Sequence, residues 1–163
     1  MNIAIDCARN VSSAGASRRF ATAILLLTVL FVGALDLHAQ IRMSGNFAYS
    51  AQGNVVAFGV QRIDNFNSIF SVSRTLAIQL WATATPYNGI GTLFGFKIAE
   101  VPIGTLQGGF FISNVAQVTT INSPPAGVYN IVFVLAEWNG FAYVTDDYGN
   151  FATPQSFGVI VTA

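Results

Sequence analysis

Residues 124–138 read Pro-Pro-Ala-Gly-Val-Tyr-Asn-Ile-Val-Phe-Val-Leu-Ala-Glu-Trp, and this stretch most constrains the fold. Proline fixes φ and cannot donate to a ladder, so Pro124 and Pro125 close a loop and the strand begins after them. Gly127 supplies the turn that launches it. A strand has a period of two, so Ile131, Phe133 and Leu135 fall on one face and Val132, Val134 and Ala136 on the other. Apolar groups on both faces demand a central strand with a covering layer on each side. For Val132 and Val134 that cover is a second layer or a neighbouring chain.

The other apolar runs are also short and alternating. Residues 45–51 and 54–62 read as a hairpin around Gln52-Gly53. Residues 63–73 read as a loop whose Phe66, Ile69 and Phe70 tuck onto the core. Residues 74–84 form a strand with Leu76, Ile78 and Leu80 alternating with Ala77, Gln79 and Trp81. Residues 85–91 form a loop, and 93–101 a strand with Phe94, Phe96 and Ile98 on one face. Residues 109–112 and 114–121 are two strands or one bent strand. Asn139-Gly140 is a tight turn, after which residues 141–145 and 148–152 pair as a return hairpin. Residues 156–162 end the chain as a strand. No useful window has helical periodicity, so the expectation is a single antiparallel β-sandwich.

The beginning of the chain has a different character. Arg9, Arg18 and Arg19 precede an apolar run over residues 20–35, and Leu37-His38-Ala39 offers a small residue before Gln40. This is the layout of a cleaved secretory signal peptide over residues 1–39, leaving a β-sandwich domain over 40–163. The run is shorter than the roughly 20 residues of a spanning helix, so no stable membrane span remains after cleavage; retention as an anchor is the alternative. The expected location is secreted or periplasmic.

Cleavage removes Cys7 and His38, the only cysteine and histidine. The exported domain then has no disulfide, no imidazole for acid–base work, no thiol nucleophile and no soft metal ligand. Its charges are Arg42, Arg62, Arg74 and Lys97 against Asp64, Glu100, Glu137, Asp146 and Asp147. They form no basic patch for nucleic acid.

The order of motifs carries a resemblance. Arg74-Thr-Leu-Ala-Ile-Gln-Leu-Trp-Ala-Thr-Ala-Thr-Pro-Tyr is followed by Gly95-Phe-Lys-Ile-Ala-Glu, by Gly104-Thr-Leu-Gln-Gly-Gly-Phe-Phe-Ile-Ser-Asn, and by Pro124-Pro-Ala-Gly-Val-Tyr. Over residues 74–150 this resembles an uncharacterised class of small exported bacterial β-sandwich domains. The Pro-Pro-x-Gly-x-Tyr launch resembles the penultimate strand of immunoglobulin-like domains. The resemblance implies a fold and no activity. It also implies that the Tyr129 hydroxyl bonds a nearby backbone group, as such sandwiches often arrange.

Three groups of side chains are candidate sites. Trp81 lies out of phase with Leu76, Ile78 and Leu80, so it faces away from the core, as a contact residue or beneath the loop that carries Tyr87. Trp81 and Tyr87 are the candidate binding residues, within an aromatic set completed by Trp138, Tyr143 and Tyr148. Asp146, Asp147 and Asn150 are candidate ligands for a structural calcium ion in a turn. Glu100 and Glu137 are the candidate carboxylate pair for glycoside hydrolysis, which needs two across a cleft. The functional expectation is a non-catalytic binding or structural module, with a glycan, a protein or a second copy as partner. The alternatives are a subunit of a self-associating surface assembly and a small carboxylate-dependent hydrolase.

Overall fold

The computed structural model describes residues 40–158; the expected signal peptide and the last residues of the final expected strand lie outside the described residues. Within them the strands are β1 (Ile41–Gln52), β2 (Val55–Asn65), β3 (Leu76–Thr83), β4 (Phe96–Gly104), β5 (Phe111–Thr120), β6 (Gly127–Trp138), β7 (Tyr143–Asn150) and β8 (Gln155–Phe157). They form two antiparallel sheets packed face to face. One has the order β1-β2-β5 and the other β4-β3-β6-β7, with β8 pairing the start of β6.

The proline-launched stretch is the strand its pattern demands. Every side chain from Ile131 to Ala136 is buried, and β6 lies between β3 and β7. Its Ile131, Phe133 and Leu135 join Leu76, Ile78 and Leu80 of β3 in the core between the sheets. The opposite sheet contributes Val56, Phe58, Val60, Ile63 and Val115. Phe133 is the pivot, with Phe47 at 5.6 Å and Phe58 at 6.0 Å between ring centroids. Truncating such a ring costs about 3–5 kcal/mol.

The first hairpin turns at Gly53-Asn54, with Gln52 opposite Val55 and Gly53 at φ +62°. Residues 111–120 are one continuous strand, bent where Asn114 takes φ +54°. Pro102 is accommodated because β4 is an edge strand.

Several expectations are corrected. Strand β2 runs on through Ile63, Asp64 and Asn65 before the loop begins. Phe66, Ile69 and Phe70 do not tuck onto the core; all three are exposed. Residues 105–110 occupy the space beneath that loop instead, inserting Leu106 and tying themselves to it through Ser73 and Asn65. Phe94 and Phe96 are also exposed, because β4 starts at Phe96 and only Ile98 reaches the core. Residues 141–152 are not a hairpin. They supply one strand, β7, which pairs with β6 in preference to folding on itself.

A candidate binding cleft on the outer face of the larger sheet

The face of β3 and β6 turned away from the core is apolar along Val132, Val134 and Ala136. The layer that covers it comes from this same chain: Trp81, Tyr87, Leu93, Tyr143 and Tyr148 pack over the three. Trp81 stands opposite Val132 and Gln79 opposite Val134, so the period-two reading of the Trp81 face holds. Trp81 is half-buried, a platform residue under a loop and not a free surface ring.

That loop, residues 84–95, is held by side chains on the strands beneath it. Asn150 grips the Tyr87 backbone twice, accepting from its N–H at 3.0 Å and donating to its carbonyl at 2.8 Å. Asn130 donates to the Ala84 carbonyl at 3.0 Å, and the Thr83 hydroxyl to the Thr85 carbonyl at 2.8 Å. Gly89 takes φ +80° over the Tyr148 ring, where a Cβ would lie 2.7 Å from the ring edge. The Tyr87 and Tyr148 rings meet edge to face at 4.8 Å, and the Tyr87 hydroxyl closes the loop by donating to the Gly91 carbonyl at 2.8 Å. Burial, with Tyr148 alongside, raises the Tyr87 pKa.

Between this loop and β7 lies a cleft of about 440 Å³, lined by Trp81, Tyr87, Leu93, Tyr143, Thr92, Thr145 and Gln79 among others. One wall is a polar relay. The Trp81 indole N–H donates to Gln79 Oε1 at 2.8 Å, and Gln79 Nε2 donates to Glu100 Oε2 at 2.8 Å. Lys97 pairs with the same carboxylate oxygen and lies 5.9 Å from the centre of the Trp81 ring. The indole N–H is consumed within the protein, so Trp81 offers a ligand its ring surface. The Tyr143 hydroxyl is pushed above its ordinary pKa by burial and then by Glu100. Ring surfaces bordered by the hydroxyls of Tyr143, Thr92 and Thr145 suit a ligand that alternates C–H faces with hydroxyl groups.

Glu100 and Glu137 are not brought together. Glu100 pairs across from Gln79 on the outer face, whereas Glu137 pairs across from Leu76 on the core face at the sheet's end. They cannot flank one bond. Glu137 instead accepts the Arg74 backbone N–H at 2.5 Å.

Asp146, Asp147 and Asn150 are not in a turn. All three belong to β7, and a register shift opposite Leu135 and Ala136 makes Asp146 the extra residue of a bulge. Asp147 accepts the Met43 N–H and the Tyr148 N–H, at 2.8 Å and 2.9 Å, and so ties β7 to β1 of the other sheet. Asn150 serves the loop. Asp146 carries a buried Oδ2 with no hydrogen-bond partner. Burial first, then Glu137 and Asp147, raise its pKa from 3.8 to about 7. Among the described residues no group of three or more acidic, histidine or cysteine side chains converges as a metal site.

The sequence singles out Trp81, Tyr87 and Tyr143, all of which line the cleft, but not the Lys97–Glu100–Gln79 relay. Its only trace in the chain is that Gln79 shares the phase of Trp81, and the partner strand cannot be read from one segment. No known family model, curated protein or solved structure matches this chain.

Proposed function

We propose that this chain is an exported, immunoglobulin-like β-sandwich that binds a saccharide, without catalysis, in the cleft over Trp81. The observation that carries this reading is the cleft itself, where Trp81, Tyr87 and Tyr143 surround about 440 Å³ beside the hydroxyls of Thr92 and Thr145. Export rests on the layout of residues 1–39. The immunoglobulin-like assignment is supported by the division into β1-β2-β5 and β4-β3-β6-β7, with the chain crossing between sheets after β2, β4 and β5. The absence of imidazole and thiol in residues 40–158, and the placement of Glu100 and Glu137 on opposite faces, favour binding over hydrolysis.

Assembly through an exposed strand edge is the less favoured reading, because each edge strand is interrupted. β1 shifts register between Ser44 and Phe47, β7 bulges at Asp146, β4 contains Pro102, and β5 bends at Asn114. Such interruptions blunt edges against pairing with another chain.

The test is tryptophan fluorescence and calorimetric titration against a panel of soluble oligosaccharides. At least one should shift the emission in the protein and in Trp138→Phe, and lose both signal and heat in Trp81→Ala. Silence across a broad panel, or binding that survives Trp81→Ala, overturns the reading.

A further inference from the structure

We propose that one end of the sandwich, formed by the tips of residues 66–73, 105–110 and 139–142, docks onto a zwitterionic phospholipid bilayer. These tips are neighbours. The Ser73 N–H donates to the Leu106 carbonyl and the Gly108 N–H to the Ser71 carbonyl, both at 2.9 Å. Arg74, directly after the first tip, donates from its guanidinium to the Asn139 carbonyl of the third at 2.5 Å. The shared end displays Phe66, Ile69, Phe70, Val72, Phe110 and Phe141 to solvent, with Phe70 92% and Phe141 93% exposed. An exposed apolar set of this size marks an interaction surface.

Four observations favour lipid over a protein partner. The tips contain no Asp, Glu, Lys or Arg. The nearest charges are engaged within the domain: Arg62 with Asp64, and Arg74 with Asn139. Most backbone N–H groups of the tips are also already partnered within the domain. The N–H groups of Phe66, Asn67, Phe70, Ser71 and Ser73 have acceptors, as do those of Gly108, Gly109, Phe110, Phe141 and Ala142. Hydrocarbon tolerates only backbone that is satisfied internally. Finally, the chain enters the domain here, since the Phe66 N–H donates to the Gln40 carbonyl at 2.8 Å. In sequence, four positions separate Gln40 from the apolar run of residues 20–35.

The experiment is co-sedimentation of protein expressed from the full chain with phosphatidylcholine vesicles, at about 0.1 M and about 1 M salt. Binding should be the same at both salt concentrations. Phe70→Ser and Phe141→Ser, at sites where nothing packs on the ring, should each weaken it about tenfold, as expected for a half-immersed phenyl group. Their circular dichroism and melting should be unchanged. Absence of binding overturns the proposal. So does binding that requires anionic lipid and falls with salt, or that survives both substitutions, which would assign it to residues 20–35. Self-association lost in the same variants without vesicle binding would assign the surface to a second copy and overturn it as well.

Discussion

Asp146→Asn should abolish a fall in stability that the unaltered protein shows as pH rises from about 4 to about 7. Asp146 is the extra residue of the β7 bulge, its Oδ2 is buried without a partner, and its pKa is raised from 3.8 to about 7. Burial is the larger cause, and the charges of Glu137 and Asp147 add to it. Arg74 lines the same small cleft, but its guanidinium is turned to the Asn139 carbonyl. Between the unfolded and folded pKa values, the folded state holds a proton that the unfolded chain has released. Stability therefore declines through that window and levels off above about pH 7.

A displacement of about three pKa units corresponds to at most about 4 kcal/mol at roughly 1.4 kcal/mol per unit. The residue is only partly buried, and solvent screening reduces the expectation to about 1–2 kcal/mol. Asparagine keeps the shape and removes the charge. Urea melts at about pH 4.5, 6 and 8 measure the difference. The two proteins should be nearly equal at the acid end, and the variant should be more stable by about 1–2 kcal/mol at the basic end. Parallel stability–pH curves, or a variant less stable at about pH 8, would refute the reasoning, because either means that the buried oxygen is not ionised at a cost.

Other outcomes follow from the same structure. Trp81→Ala should cost about 2 kcal/mol in a urea melt, between the loss of a full core ring and that of a surface one, because the ring is half-buried over Val132. Tyr129→Phe should leave the denaturation midpoint within about 0.5 kcal/mol. The Tyr129 hydroxyl has no hydrogen bond among the described residues, contrary to the immunoglobulin-like expectation, and the ring is held instead by Phe96 at 5.8 Å and Phe157 at 6.0 Å. EDTA should leave the melting temperature unchanged, since Asp147 and Asn150 already spend their oxygens on backbone N–H groups.

The sandwich was legible where a strand's own pattern carries its environment. Residues 131–136 are apolar in both phases, and both phases prove buried. Leu76, Ile78 and Leu80 give the core face of β3 from alternation alone, and Trp81 follows on the other. The errors fall where a segment's place is set by a partner distant in sequence. Asp146-Asp147-Tyr148-Gly149-Asn150 has the composition of a turn. It is nevertheless a strand, because β6 offers it a ladder and the surplus residue escapes as a bulge. Tyr129 has the sequence position for a corner hydrogen bond, yet none of the described residues supplies the acceptor.

The loop rings show the same limit from the opposite side. Phe66, Ile69 and Phe70 are apolar, and apolarity by itself suggests burial. Burial also requires an opening in the core, and that opening is filled by Leu106 from a segment more than thirty positions away, held by Ser73 and Asn65 (the Leu106 N–H donates to the Ser73 hydroxyl). Much of any folded surface is apolar, so one exposed ring would mean little. Here the rings share one end, on tips that carry no charged side chain and have most of their backbone N–H groups already bonded. The cleft is its counterpart, since Val132 and Val134 looked like surface awaiting a partner and are covered by Trp81 and Tyr143 of the same chain. Covering the sheet from within leaves a cleft at the rim of that cover, while the loop end keeps its rings exposed.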